Sequence, residues 1–205
     1  MENYHIAEAF KLINFNTNCN IFSDLSTNDT KIIRKRIIEM VLATDMTMHN
    51  KELVFIKTKL EIIRSTPTEN PNGSMISNYL DNVNDKNLIT MQQDFLNILI
   101  HTADISNPTK SLNLYKKWTD LIINEFWQQG DKEKKMSLPV SFACDRIGAS
   151  VPKIQIGFIE GIVLPLFSCV AELFPNLEYM KINLSDNNNY NKDLLEKEKK
   201  FEENK

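Results

Sequence analysis

The sequence contains few of the residues that interrupt helices. Glycine occurs 5 times and proline 7 times among 205 residues, and the stretches between them repeat apolar residues at helical spacing. This scarcity argues against a protein built from short strands joined by tight turns. We therefore predict an all-α fold, a compact bundle of several helices.

Cysteine, positive charge and long apolar runs are also scarce. The 3 cysteines form no CxxC pair, which predicts free thiols in a reducing compartment. A net charge of −3 leaves no basic surface for nucleic acid. We identify no apolar run of the roughly 18–20 residues that a membrane span needs and no signal peptide at the start. We therefore predict no nucleic-acid partner, no membrane segment in this chain and a location on the cytoplasmic side.

Capping and helix-breaking residues predict where several helices begin and end. The run Ser26-Thr-Asn-Asp29 offers capping residues for the helix that follows it, and Ser150 is a candidate cap for a later helix. Gly130 is expected to end a long helix, which leaves Lys132–Lys135 as a solvated turn. The segment Ser65–Lys86 is rich in proline, asparagine and aspartate and has the composition of a surface loop.

Near the middle of the chain, an apolar helix ends in two residues that can carry chemistry. The apolar run from Leu88 to Ile100 leads directly into His101, and Asp104 lies three residues further on, so the two side chains share a helix face. Pro108 predicts that the helix stops before it. An imidazole and a carboxylate there would be partly desolvated and would need a metal, a charge partner or a hydrogen-bond network. A core histidine beside an aspartate that caps the next helix explains the same spacing.

Two other stretches also place polar residues at apolar helices. They are Glu2 with His5, and Thr44 with Asp45. Histidine and carboxylate side chains of this kind bind divalent metals. However, the chain has only 3 histidines. A helix-lined metal site and a structural hydrogen-bond network are therefore both open at this stage.

A series of short motifs follows one order along the chain. The runs are Glu2-Asn-Tyr-His5, Val41-Leu-Ala-Thr44-Asp45-Met46, His101-Thr-Ala-Asp104-Ile-Ser-Asn107-Pro108-Thr-Lys110, Tyr115-Lys-Lys-Trp118, Glu125-Phe126-Trp-Gln-Gln-Gly130-Asp131 and Gln155-Ile-Gly157-Phe158-Ile159. In this order and spacing they resemble the C-terminal two-thirds of a class I 3′,5′-cyclic-nucleotide phosphodiesterase catalytic domain. The resemblance implies the helical fold of that domain, N-terminally incomplete, over residues 1–180. Residues 181–205 are then expected to form a polar, charged tail, either a marginal helix or disordered.

The resemblance implies hydrolysis of a cyclic nucleotide, cAMP or cGMP, to the 5′-monophosphate with two metals, Zn²⁺ and Mg²⁺ or Mn²⁺. Asp104 matches the carboxylate that binds zinc, and Glu125 matches the carboxylate that orients a catalytic histidine. Without the resemblance, Thr44 would be a helix-end residue that bonds the backbone. Glu2 and Thr44 match positions that hold water molecules bound to the second metal. His5 and His101 match supporting positions beside the metal centre.

The resemblance also implies a purine site. Gln155 matches the glutamine that reads the purine edge, and its amide has both a donor and an acceptor, so it suits either base. Phe158 and Ile122 match the apolar clamp around the base, and Asn107 and Met46 match the pocket wall. Taken alone, Phe158 and Ile122 would be ordinary core residues.

Some family residues have no counterpart in this chain. The family's metal-binding histidines and its general-acid histidine lie upstream of the position that Glu2 matches. We therefore expect this chain alone neither to retain the metals nor to hydrolyse cyclic nucleotide at a substantial rate. The alternative is a non-catalytic helical scaffold or nucleotide-binding module derived from a phosphodiesterase. The choice between cAMP and cGMP and the oligomeric state are open at this stage.

Overall fold

The computed structural model describes residues 1–65, 75–81 and 83–203, and these residues form helices, turns and connecting segments without a strand. The predicted all-α fold is confirmed. Contacts among the helices define two units, Met1–Asp104 and Ile105–Lys205. The helices are α1 (Glu2–Phe15), α2 (Thr27–Leu42), α3 (His49–Ser65), α4 (Met75–Asp81), α5 (Asp85–Asp104), α6 (Leu112–Lys135), α7 (Val151–Phe158), α8 (Leu164–Leu173) and α9 (Glu178–Glu203).

In the first unit, α2 packs against both α1 and α5, and α3 packs against α4. Ser26 caps α2 as predicted, because its hydroxyl oxygen accepts a hydrogen bond from the backbone N–H of Asp29 at 3.1 Å. α5 ends at Asp104, before Pro108, also as predicted. The buried core of this unit includes Phe10, Ile56, Leu60, Phe95 and Ile98.

The expected surface loop Ser65–Lys86 contains a helix. α4 occupies Met75–Asp81, and α5 begins at Asp85. Tyr79 explains part of the difference, because its ring is only 8% exposed and so gives this short helix a buried face. Residues 66–74 and residue 82, on which the same prediction falls, lie outside the described residues.

In the second unit, α7 and α8 are joined by a π-helical turn at Ile159–Val163 and form one apolar helix over Val151–Leu173. An 18-residue window of this helix has a mean hydropathy of 1.9, so a run long and apolar enough to cross a membrane does exist, contrary to the expectation from sequence. Leu166 and Phe167 in this run are buried. A buried core helix meets the same criterion, so length and composition alone do not assign this helix to a membrane.

Helix α6 runs past the glycine that was expected to end it. It continues through Gly130 to Lys135, so the prediction of a solvated turn at Lys132–Lys135 was wrong. Salt bridges from the following segment hold the last turns in place, with Lys134 to Asp145 at 2.7 Å and Arg146 to Asp131 at 2.8 Å. Gly130 itself lies against the backbone of Cys144, where a side chain would not fit.

The segment expected as a polar tail lies in a helix. α9 spans Glu178–Glu203 and packs against α7 and α8. Its buried side chains include Leu184, Asn187 and Asn191. Its buried face is partly polar, because asparagine amides on that face bond backbone carbonyls and a hydroxyl. Composition alone could not distinguish this arrangement from a solvated tail.

Candidate functional site

His101 at the end of α5 is completely buried and pairs with a second histidine. Its Nε2 lies 3.0 Å from Nδ1 of His49, at the start of α3. Burial lowers the pKa of both imidazoles, and His49 lowers that of His101 further. Two neutral rings at this distance share one hydrogen, so one donates and the other accepts. One hydrogen bond of the kind proposed for His101 is therefore present within the first unit, while Nδ1 of His101 and Nε2 of His49 are buried without a partner among the described residues.

Asp104, the last residue of α5, is exposed to solvent. The expected desolvation thus applies to His101 and not to Asp104. The carboxylate still lies close enough to His101 to oppose the fall in the pKa of that imidazole. Asp104 is a charged group at the protein surface that can accept a ligand or a cation.

The remaining predicted residues of the first unit lie at the start of α1 and just after the end of α2. A backbone hydrogen bond lowers the pKa of Glu2, and the negative charge of Asp45 opposes this shift. The hydroxyl of Thr44 donates to the carbonyl of Val41 at 2.8 Å, as a helix-end threonine does. The other predicted residues of this unit, His5 and Met46, are exposed.

A metal centre requires several ligands that point to one place. Among the residues that the structure describes, no group of three or more histidine, cysteine, aspartate or glutamate side chains could hold a metal ion. His49 and His101 bond each other, and Asp104 stands at the surface. Among the described residues, the side chains predicted for the metal centre are therefore not gathered into a group of three or more ligands.

The first unit also buries a carboxyl group that no motif predicts. Glu52 on α3 is 9% exposed, and its Oε2 has no hydrogen-bond partner among the described residues. Burial raises the pKa of Glu52 to about 7, while Lys51 opposes this shift and Asp94 adds to it.

We predict that this carboxyl makes stability depend on pH. The pKa of Glu52 is about 7 in the folded chain, against a usual 4.5. Between pH 4.5 and pH 7 the Glu52 carboxyl is therefore protonated in the folded chain and ionised in the unfolded chain. Stability therefore falls as pH rises through this window. Replacing Glu52 with glutamine should remove the effect and raise the free energy of unfolding by about 2–3 kcal/mol at pH 8. Urea titrations at pH 4.5 and pH 8 test this, with the exposed Glu61→Gln as control; parallel pH profiles for wild type and Glu52→Gln would contradict it.

In the second unit, Gln155 on α7 is fixed by a buried tyrosine. Gln155 is 5% exposed and Tyr115 on α6 is 1% exposed. The Tyr115 hydroxyl donates to Oε1 of Gln155 at 3.0 Å. Burial raises the pKa of Tyr115, against the effect of hydrogen bonds with Asn191 and Thr119. The phenol therefore keeps its proton and remains a donor at neutral pH.

The polarity of this contact is set by Asn191 on α9. Its Nδ2 donates to the Tyr115 oxygen at 2.7 Å and to the backbone carbonyl of Asn187 at 2.6 Å. Since a backbone carbonyl only accepts, the amide of Asn191 cannot be reversed without loss of that bond. The Tyr115 oxygen thus receives a hydrogen from Asn191 and gives its own to Gln155. The Nε2 group of Gln155 makes no hydrogen bond to the part of the chain that the structure describes.

The other predicted residues of the second unit lie on α6, on α7 and in the turn before α6. Nδ2 of Asn107 donates to the hydroxyl of Thr119 at 3.4 Å, and Oδ1 of Asn107 is buried without a partner among the described residues. Phe158 is half-buried one turn after Gln155, while Ile122 is 37% exposed on α6. Glu125, three residues after Ile122, is exposed.

Comparison with known proteins identifies the family of this chain. The model of the 3′,5′-cyclic nucleotide phosphodiesterase family matches residues 1–184. The chain belongs to this family. Among its curated relatives, the 3′,5′-cyclic-AMP phosphodiesterase 4C of Rattus norvegicus is 41% identical over 188 residues, which is 91% of this chain and 32% of the relative. The 3′,5′-cyclic-AMP phosphodiesterase isoform F of Drosophila melanogaster is 38% identical over 199 residues, 95% of this chain and 28% of the relative.

A solved structure shows the same fold. The phosphodiesterase domain of Salpingoeca rosetta rhodopsin phosphodiesterase superposes with a TM-score of 0.80 at 28% identity, covering 99% of this chain and 56% of that one. The chain thus spans about a third of the length of these curated relatives and little more than half of a solved phosphodiesterase domain.

Three residues that contact the candidate site residues were not predicted to do so. Sequence reasoning assigned no role to His49, placed Tyr115 only in a matching run, and placed Asn191 only in the polar tail. Their contacts join residues 52, 40 and 76 positions apart. No spacing rule connects such distant residues. The available signal was Gln155, because an amide placed in a purine site needs a hydrogen-bond partner from the protein.

Proposed function

We propose that this chain provides the purine-binding part of a phosphodiesterase that hydrolyses cAMP to 5′-AMP. The observation that supports this most strongly is the buried amide of Gln155, held by Tyr115 in one orientation. The family match and the names of the two curated relatives support the reaction and the adenine nucleotide.

The orientation of Gln155 favours adenine. Oε1 accepts from Tyr115, which leaves Nε2 as a donor and one lone pair of Oε1 as an acceptor. On adenine, N1 accepts a hydrogen bond and the 6-amino group donates one, so both fit. On guanine, N1 carries a hydrogen and O6 accepts, so donor would face donor. Guanine recognition would require the amide to turn over and lose its bond to Tyr115.

Catalysis is proposed for the complete domain and not for this chain alone. In the two-metal reaction of the family, zinc and magnesium would hold the cyclic phosphate and activate water. Of the described residues, Asp104 is the one that matches a direct metal ligand, and the described residues form no metal-binding group. We therefore propose that the chain binds purine nucleotide but turns it over negligibly.

A non-catalytic module that only binds nucleotide is the alternative. Its purine site would be the same, so purine binding does not separate the two proposals. The acidic residues and threonine that match the metal centre, Glu2, Thr44, Asp104 and Glu125, favour the enzyme, because a binding module has little use for them. Cyclic-nucleotide turnover by a longer form of the protein that includes metal-binding histidines would decide for the enzyme.

The effect of Asn191→Asp tests the adenine site. The new carboxylate can only accept, so the Tyr115 hydroxyl should turn toward it and release Gln155. We expect the unsubstituted chain to bind 5′-AMP at least roughly fivefold more tightly than 5′-GMP, and the variant to lose this preference. Asn189→Asp adds the same charge on the exposed face of α9 and should keep it. NMR titrations measure both affinities; equal binding of the two nucleotides by the unsubstituted chain would refute the adenine site.

A further inference from the structure

The turn between α5 and α6 cannot satisfy its own backbone. In the 3₁₀ turn Asn107–Thr109, the backbone N–H of Thr109 bonds the carbonyl of Ser106 at 2.9 Å, and that of Lys110 bonds the carbonyl of Asn107 at 3.2 Å. Pro108 has no N–H to contribute. The carbonyls of residues 108, 109 and 110 must therefore find donors elsewhere, because Pro108 and Thr109 are buried.

Helix α9 supplies these donors from asparagine amides. Nδ2 of Asn183 donates to the carbonyl of Thr109 at 2.8 Å. Nδ2 of Asn187 donates to the carbonyls of Pro108 and Lys110, each at 2.8 Å. Two amides thus satisfy three consecutive carbonyls of the turn. Asn187, 1% exposed, is the more buried of the two asparagines.

The third amide in this series bonds Tyr115 and not the turn. Asn183, Asn187 and Asn191 are spaced four residues apart and so lie on one face of α9; we call them the asparagine ladder. Asn191 bonds Tyr115, which holds Gln155. The family match ends at residue 184, so Asn187 and Asn191 lie beyond it.

We propose that the asparagine ladder of α9 is a positioning element of the purine site. It fixes the turn that carries Asn107 and, through Tyr115, the amide of Gln155. This inference rests on the proposed function, because it assumes that Asn107 and Gln155 contact a purine. Its physical basis is geometric: a base edge is read only if its hydrogen-bonding partners are held in place before binding.

The ladder acts through buried hydrogen bonds that have no substitute. Removing the amide of Asn187 leaves the carbonyls of Pro108 and Lys110 without this donor, and because the bond to Pro108 is buried, its loss favours opening of the turn to water. Opening would expose the backbone N–H groups of Thr109 and Lys110 to exchange. It would also shift Asn107, which precedes Pro108 in the same turn.

The full-length 205-residue chain carrying Asn187→Ala tests the proposal by NMR. We expect hydrogen exchange of the Thr109 and Lys110 amides to be at least roughly tenfold faster, and the affinity for 5′-AMP to fall roughly fivefold or more in protein that is still folded. Asn189→Ala, on the exposed face of the same helix, should change neither. Asn183→Ala removes one bond from a less buried position and should give a smaller effect of the same kind, which keeps the test valid if Asn187→Ala does not fold.

The outcomes separate the ladder from the proposed function. If 5′-AMP binds the unsubstituted chain and the ladder variants equally well, the ladder has no positioning role. If exchange at Thr109 and Lys110 is the same in the ladder variants as in Asn189→Ala, the turn is not held by α9 and the proposal is wrong. If the unsubstituted chain does not bind 5′-AMP, the proposed purine site itself is refuted.

Discussion

Replacing Gly130 with alanine is expected to destabilise the second unit by at least about 3 kcal/mol. A Cβ at this position would overlap the backbone carbonyl oxygen of Cys144 and lie 2.8 Å from its carbonyl carbon. Relief requires the backbone to move, because the obstacle is main chain and not a flexible side chain. The salt bridges of Lys134 with Asp145 and of Arg146 with Asp131 hold the two segments together and resist that movement.

Gly157 provides the matched control for this substitution. It is also helical, but a Cβ added there would meet nothing within 4 Å. Gly157→Ala should therefore stabilise α7 by about 0.5–1 kcal/mol, because alanine loses less backbone entropy than glycine. Urea denaturation followed by circular dichroism gives both values. Equal effects of the two substitutions would mean that α6 and the Cys144 segment are not in close contact.

The second large effect concerns catalysis by the chain alone. We expect the purified 205-residue chain, supplied with Zn²⁺ and Mg²⁺, to form 5′-AMP from cAMP at less than about one thousandth of a typical enzyme turnover of ~10 s⁻¹. Two-metal hydrolysis needs both ions held together. The described residues contain no group of three or more potential ligands, and His49 and His101 are bonded to each other.

Asp104→Ala is the control for this measurement. If no metal pair forms, loss of the exposed carboxylate should leave any residual rate unchanged. The rate of 5′-AMP formation can be followed by chromatography with both proteins at equal concentration. A rate near that of typical enzymes, abolished in Asp104→Ala, would show that this chain assembles a metal centre and would contradict the proposal.

Capping residues in the sequence correctly predicted where two helices begin. Ser26 and Ser150 cap α2 and α7 because a side-chain oxygen before a helix accepts from its free N–H groups. The same reasoning was wrong at Gly130, which was expected to end α6. Glycine there permits close approach of the Cys144 backbone and does not end the helix, and that requirement becomes visible only once the two segments are folded together.

The candidate site was predictable in part. The motif order placed Gln155 and Asn107 in the purine site as candidates, and in the structure both are bonded to α6, to Tyr115 and Thr119 respectively. The role of α9 could not be predicted, because its polar composition has two explanations that differ only in tertiary contacts. Asn187 and Asn191 are buried although they are polar, because their amides donate hydrogen bonds to the turn and to the Tyr115 oxygen.

Contact between Gln155 and the base is the central proposal, and the side-chain amide signal of Gln155 in ¹⁵N-labelled protein reports this contact directly. Titration with 5′-AMP should shift the Nε2 resonances of Gln155 until the site is saturated, and 5′-GMP at the same concentrations should shift them far less. Binding of 5′-AMP that leaves the Gln155 signal unchanged, or equal shifts with both nucleotides, would contradict the account.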